Sequence, residues 1–226
     1  AGGVPPADVV LLAGPTDRPD HWSSVAAGWP DEARRLIAPD PVVPPRRPYG
    51  IAWTTAHAAA LHQAGQWGQT AAPLVLVGHG TAGPLLPALA RTQRSARRRI
   101  AAYVFVDATL PRPGVSTHLD LLRAAAPADA DAAHEHLHIA GATWPPEADR
   151  PGDHDFWTEP LPPPVDWPDA PCAYVSTPAA SPGCGPVDFW ARSAAARGWN
   201  VRRSAGADGG ELATALSELI AALPGT

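Results

Sequence analysis

Residues 74–83 read Leu-Val-Leu-Val-Gly-His-Gly-Thr-Ala-Gly, an apolar strand run that breaks at a glycine-spaced turn and enters a helical stretch. In a G-x-S-x-G nucleophile elbow the middle residue sits at a strained strand-to-helix corner and presents its hydroxyl to substrate. Gly80 holds that place here, with Gly78 before it and Gly83 after it. The corner is kept and the hydroxyl is missing, so an acyl-enzyme cannot form at this position.

Groups able to move a proton remain at the expected carboxyl ends of strands: Asp17, Asp20 and His21, then His79 and Thr81, then Asp107, and finally Asp208. Imidazoles and carboxylates within reach of a ligand serve as general acids and bases, which makes His79, Asp107, His21 and Asp208 the candidate catalytic residues. The candidate pocket residues are Gly14, Asp17, Trp22, Gly80, Thr81, Trp144 and Trp157. Plainer roles compete for two of these: His79 as a buried, hydrogen-bonded imidazole beneath the corner, and Asp107 as a turn cap. Farther along, His134 and His138 share a helix face at the spacing of a metal pair. No third ligand stands at a recognisable spacing, so a solvated face is expected there, and no metal or cofactor is expected anywhere. Asp153-His154-Asp155 reads as a polar loop tip.

Strands are expected over 9–12, 35–37, 74–77, 103–106, 173–176 and 201–203, and helices over 52–64, 83–94, 187–197 and 211–223. Alternation of β-branched or leucine runs with alanine-rich stretches predicts a mostly parallel sheet of about six strands with helices on both faces. Gly65 and Gly198 follow two helical runs where a left-handed glycine is expected. Residues 115–167 break the alternation with two short helical segments (119–126 and 129–138), followed by a proline- and tryptophan-rich part.

In motif and in order the chain resembles the α/β-hydrolase fold family, specifically its small-capped, ester- and amide-cleaving members. Val9 to Gly14 followed by Trp22 resembles the strand, His-Gly loop and tryptophan that precede the elbow; 103–107, 173–177 and 200–203 resemble the later strands. The resemblance implies one domain over 1–226, with 115–167 as a cap that roofs the pocket. It also implies four catalytic parts, none of which stands in its place. Gly80 replaces the serine, and Ala13 and Pro15 occupy the oxyanion loop, where proline offers no N–H. The 178–182 segment carries no carboxylate, and Ala207 or Asp208 stands where the histidine would be.

Composition bounds the remaining readings. The 226 residues suit one domain with a full core, and a net charge of −5 gives no general reason to bind nucleic acid or an anionic membrane. All 17 basic residues are arginine, which excludes lysine Schiff-base chemistry; with the abundant Ala, Pro and Gly, this suggests a high-GC bacterial genome. The Arg91–Arg99 run fits a solvated helix end. Cys172 and Cys184 are expected as free thiols, and a cytoplasmic location is expected because no apolar run approaches a membrane span.

The function expected is a non-hydrolytic α/β-hydrolase-fold enzyme of specialised metabolism that acts noncovalently on a small apolar molecule by cyclisation, isomerisation, elimination or condensation. One alternative is an inactive pseudoenzyme that binds a ligand or protein. The other is a hydrolase with a relocated nucleophile at Cys184, Ser176 or Ser181.

Overall fold

A computed structural model describes residues 4–65, 71–179, 181–206 and 208–226. The chain runs β1 (Asp8–Leu12), α1 (Ser23–Ala27), β2 (Leu36–Ile37), α2 (Tyr49–Ala64), β3 (Leu74–His79), a 3-10 turn (Gly80–Leu85), α3 (Leu86–Ser95) and β4 (Ile100–Val106). It continues through α4 (His118–Ala125), α5 (Pro127–Leu137), β5 (Thr143–Trp144), β6 (Gly152–Asp153), α6 (His154–Thr158), β7 (Cys172–Ser176), α7 (Val187–Ala196), β8 (Asn200–Arg203) and α8 (Gly209–Ala222). The six expected strands are β1, β2, β3, β4, β7 and β8, paired in parallel in the order β2-β1-β3-β4-β7-β8.

Alternation along the central strands builds two cores. Val10, Leu12, Leu76, Tyr103 and Phe105 face Trp53 of α2, Leu86 and Leu89 of α3 and Trp190 of α7. Val9, Leu11, Val75, Val77 and Val104 face Val25 of α1 and Leu212, Leu216 and Ile220 of α8. Successive strand side chains point to opposite faces, so strands buried on both sides read as unbroken apolar runs. That is why these strands were visible in the sequence.

Three features differ from expectation. The helix after β3 opens as a 3-10 turn with Pro84 inside it, because a proline within the first turns cannot donate to the α-helical ladder. Gly65 has φ −105°, not a left-handed value, whereas Gly198 has φ +77° as expected. The β5–β6 hairpin, α1 and α6 were not anticipated; each is five residues or fewer, too short to show a period.

Between β4 and β7, the elements α4, α5 and α6 close on a core of their own made of Leu119, Leu122, Ala133, Leu137, Phe156 and Trp157. Thr117 and Asp120 form a capping box at the start of α4, satisfying two otherwise unpaired N–H groups. His118 lies inside this core, its ring stacked on Phe156 at 4.6 Å, and its buried Nδ1 has no partner among the described residues. Burial alone pushes its imidazole down to about 3.

A histidine with a lowered folded pKa is neutral in the fold and protonates first in the unfolded chain, so stability falls as pH drops below about 6.5. Replacing His118 with Phe is expected to reduce that slope by about 1.4 kcal/mol per pH unit. Urea midpoints should therefore rise relative to the wild type at pH 5 and stay close to it at pH 8; equal shifts at both pH values would refute a buried neutral imidazole.

Candidate functional site

The sheet order reverses beside β1, whose neighbours β2 and β3 follow it on opposite sides. Open α/β sheets bind ligands outside the carboxyl ends of strands at such a switch point. A cavity of about 710 Å³ lies there. Its walls come from the loop after β1 (13–19), the proline-rich loop after β2 (39–45), Tyr49, Trp53 and His57 of α2, and the β5–β6 hairpin with Phe156. The lining is mainly apolar, with carboxylates at Asp17, Asp40 and Asp153. His57 stacks on Trp53 at 4.0 Å and shares a 2.8 Å hydrogen bond with the Trp53 carbonyl through Nδ1. Burial lowers its imidazole to about 4.

Three expected residues meet where Asp17 lines this cavity, with His79 and His21 behind it, outside the lining. Asp17 Oδ2 accepts a 2.7 Å hydrogen bond from the Gly14 N–H and lies 2.8 Å from His79 Nδ1. The His21 ring stacks on His79 with centroids 3.9 Å apart and planes tilted by 33°. Trp22 closes the other side edge-on, 6.0 Å from His79. Burial disfavours charge on both Asp17 and His79, but each supplies the other with an opposite charge and a hydrogen bond. Asp17 is accordingly held below the ordinary carboxylate range and His79 above the ordinary imidazole range. Burial, then the neighbouring His79 charge, pushes His21 down to about 4. The pairing thus favours the carboxylate form of Asp17 and the protonated form of His79, while burial favours a neutral His21 on its face.

This cluster has ligand atoms that all lie within 4.8 Å of one another, enough for a divalent cation. The stacking argues against it: with the two ring planes tilted by only 33°, the in-plane nitrogen lone pairs run side by side instead of converging on one ion as tetrahedral ligation needs. The arrangement is that of an ion pair.

Gly80 stands at the corner with φ +58°, a region that L side chains enter at a cost of roughly 1–2 kcal/mol. A Cβ there would lie 2.9 Å from Ser181 Oγ and 3.7 Å from both Asp17 carboxylate oxygens. The space directly above the corner is therefore filled by this chain's own side chains, and the cavity lies beside it. At Gly14 a Cβ would come within 2.8 Å of the His79 carbonyl, which holds the first loop against the elbow. Thr81 joins the same contact through a 3.0 Å bond between its hydroxyl and that of Thr16.

Other expected site residues serve elsewhere. Asp107 (φ +45°) accepts bonds from the Thr177 N–H at 2.8 Å and hydroxyl at 2.5 Å, tying the end of β4 to that of β7. Burial raises its carboxyl. Asp208 caps α8 by accepting from the Glu211 N–H at 2.8 Å, which helix termini require. Trp157 is fully buried in the core between β4 and β7 and donates to the Trp144 carbonyl at 2.9 Å. Neither tryptophan, nor Trp22, Gly80 or Thr81, lines the cavity; of the expected pocket set, Gly14 and Asp17 do. Trp53, His57 and Tyr49 were missed, though their place on the helix after a proline-rich loop at a strand's carboxyl end was a usable signal. Cys172 and Cys184 are free and buried.

No protein-family model matches the sequence, and no curated protein matches it. Solved structures do match in fold. An extracellular α/β-hydrolase from a Paenibacillus species, described as sharing structural and functional homology with tobacco salicylic acid binding protein 2, has 15% identity and a TM-score of 0.69, covering 95% of this chain and 99% of that one. A pyrethroid hydrolase from Sphingobium faniae has 15% identity and a TM-score of 0.60 over 96% and 98%. A methylesterase from Arabidopsis has 12% identity and a TM-score of 0.54 over 96% and 100%. The chain has the α/β-hydrolase fold.

Two outcomes are expected from this geometry. Gly80→Ser should destabilise by roughly 1–3 kcal/mol, and Ser181→Ala in the same background should recover part of that loss; independent effects in a denaturation double-mutant cycle would show that the two positions do not touch. In imidazole NMR titrations His79 should titrate above 6.5, and Asp17→Asn should lower its pKa, because burial then acts unopposed. With the sign worked out, the pair's contribution to stability is lost as pH falls through the lowered Asp17 pKa and as it rises through the raised His79 pKa.

Proposed function

We propose that this protein is a non-hydrolytic α/β-hydrolase-fold enzyme, a single domain capped by 115–167, that holds a small, largely apolar molecule in the cavity beside β1 and moves a proton on it without a covalent intermediate. The observation that carries the reading is the Asp17–His79 pair, whose carboxylate residue lines the cavity. Asp17 Oδ2 is occupied by Gly14 and His79, whereas Oδ1 accepts no hydrogen bond among the described residues. In the proposed step Oδ1 takes a proton from an activated C–H or O–H of the ligand, leaving the bonding electron pair on the ligand as an anion. The His79 imidazolium offsets the charge that develops, and the Asp17 carboxylic acid then returns the proton at another atom. Protons and electrons balance without a cofactor, as isomerisation or cyclisation requires. Expulsion of a leaving group from the anion would make the same start an elimination, and its attack on a second carbonyl a condensation.

Hydrolysis by the usual route finds little support in the chain. Gly80 has no hydroxyl, and the Gly14 N–H in the loop that would offer an oxyanion donor is taken by Asp17. A relocated nucleophile fares no better. Burial pushes the Cys184 thiol up to about 12, and Ser181 donates to Cys184 Sγ at 3.6 Å where a nucleophile would be bonded to a base. One observation favours a second reading, a binder that performs no reaction: the space above the corner is filled by Ser181. A role in specialised metabolism and a cytoplasmic site in a high-GC bacterium belong to the same proposal. Among the described residues no helix is long and apolar enough to cross a membrane.

The test is deuterium incorporation from D2O into neutral, enolisable ketones of a size that fits the cavity. The wild type should accelerate exchange, and Asp17→Asn should lower the rate by about 10²-fold or more, the usual contribution of a general acid–base. Replacing His79 with Gln should slow it as well. Full rates in both variants, or labelling of a serine by a fluorophosphonate probe, would sink the proposal; saturable binding without exchange would transfer support to the non-reacting binder.

A further inference from the structure

The sequence offers His134 and His138 as a metal pair without a third ligand, and the fold places a third histidine beside the pair. On α5 the two rings present their Nε2 atoms to each other at 3.2 Å, with centroids 4.6 Å apart and planes at 84°. Two imidazoles bound to one tetrahedral zinc at 2.0–2.1 Å would hold their nitrogens roughly 3.3 Å apart. The pair is thus spaced and angled as co-ligands are, in contrast to the stacked rings of His21 and His79. The α6 segment then brings in His154, whose ring centroid lies 5.9 Å from that of His138.

His154 also has a carboxylate beside its ring. Its Nδ1 lies 3.3 Å from Asp155 Oδ1 and 3.5 Å from the Thr158 hydroxyl, and Asp155 in turn lies 3.6 Å from Arg47. A carboxylate beside one ring nitrogen is the arrangement found behind metal-binding histidines, which ligate through the other. All three histidines are exposed, so their side chains are not held by packing in the rotamers seen here.

We propose that His134, His138 and His154 form a site for one divalent transition-metal cation of the zinc type, with Asp155 as a positioning residue and water completing the coordination. The ion would tie α5 to the start of α6. Asp153, the N-cap of α6, lines the cavity and accepts a 2.7 Å bond from Tyr49 Oη. Metal binding would therefore stiffen the cavity's rim, whatever reaction or binding the cavity serves.

The experiment is calorimetric titration of the full chain with zinc chloride, alongside cobalt absorption spectra as a readout of tetrahedral coordination. One equivalent should bind. His138→Ala and His154→Ala should each weaken binding more than tenfold, Asp155→Asn should weaken it by a smaller factor, and His136→Ala should leave it unchanged. Circular dichroism of the metal-free variants should match the wild type, since these side chains are on the surface. Wild-type affinity in His154→Ala would overturn the three-ligand site, as would loss of zinc binding only when His21 or His79 is replaced.

Discussion

The contact on which the site depends is the one between Asp17 and His79. Both side chains are nearly removed from water, and an isolated buried charge is far costlier than a paired one. Each residue is tolerable only because the other is there. The pair links the loop after β1, through the Gly14 N–H, to the last residue of β3. Breaking such a pair from one side typically costs about 3–5 kcal/mol, so the geometry of the cavity's inner wall is tied to the stability of the fold.

The same contact explains where the cavity lies. In this fold the space above the corner residue is where a nucleophile meets substrate; here Ser181 and the Asp17 carboxylate flank Gly80 and fill that space. The open volume is displaced toward the loop after β2 and the β5–β6 hairpin. A ligand there would meet proline, valine and aromatic surfaces as well as Asp17. His21, kept neutral by burial and by the charge on His79, covers the imidazolium without adding charge of its own.

Some residue roles were legible from the chain and others were not. The four central strands of the main sheet, β1, β3, β4 and β7, followed from their buried apolar runs, and the corner at Gly80 from glycine spacing. His79, Asp17 and His21 were named as candidates, but their mutual contact spans 62 residues between Asp17 and His79, and no local pattern reports such a distance. Trp144 and Trp157 were misplaced because an aromatic side chain looks the same in a sequence whether it lines a cavity or fills a core. Asp208 caps α8, a role the sequence did not separate from a catalytic one because both can fall at one loop position.

What the sequence determined by itself was the layered α/β architecture, the order of its elements and the absence of a hydroxyl at the elbow, because periodicity and residue identity are properties of neighbours along the chain. The tertiary structure alone decided which polar groups are buried and paired, where the open volume lies, and that His154 approaches the His134–His138 pair. Those outcomes rest on burial and on contacts between distant segments, and both arise only when the chain has packed.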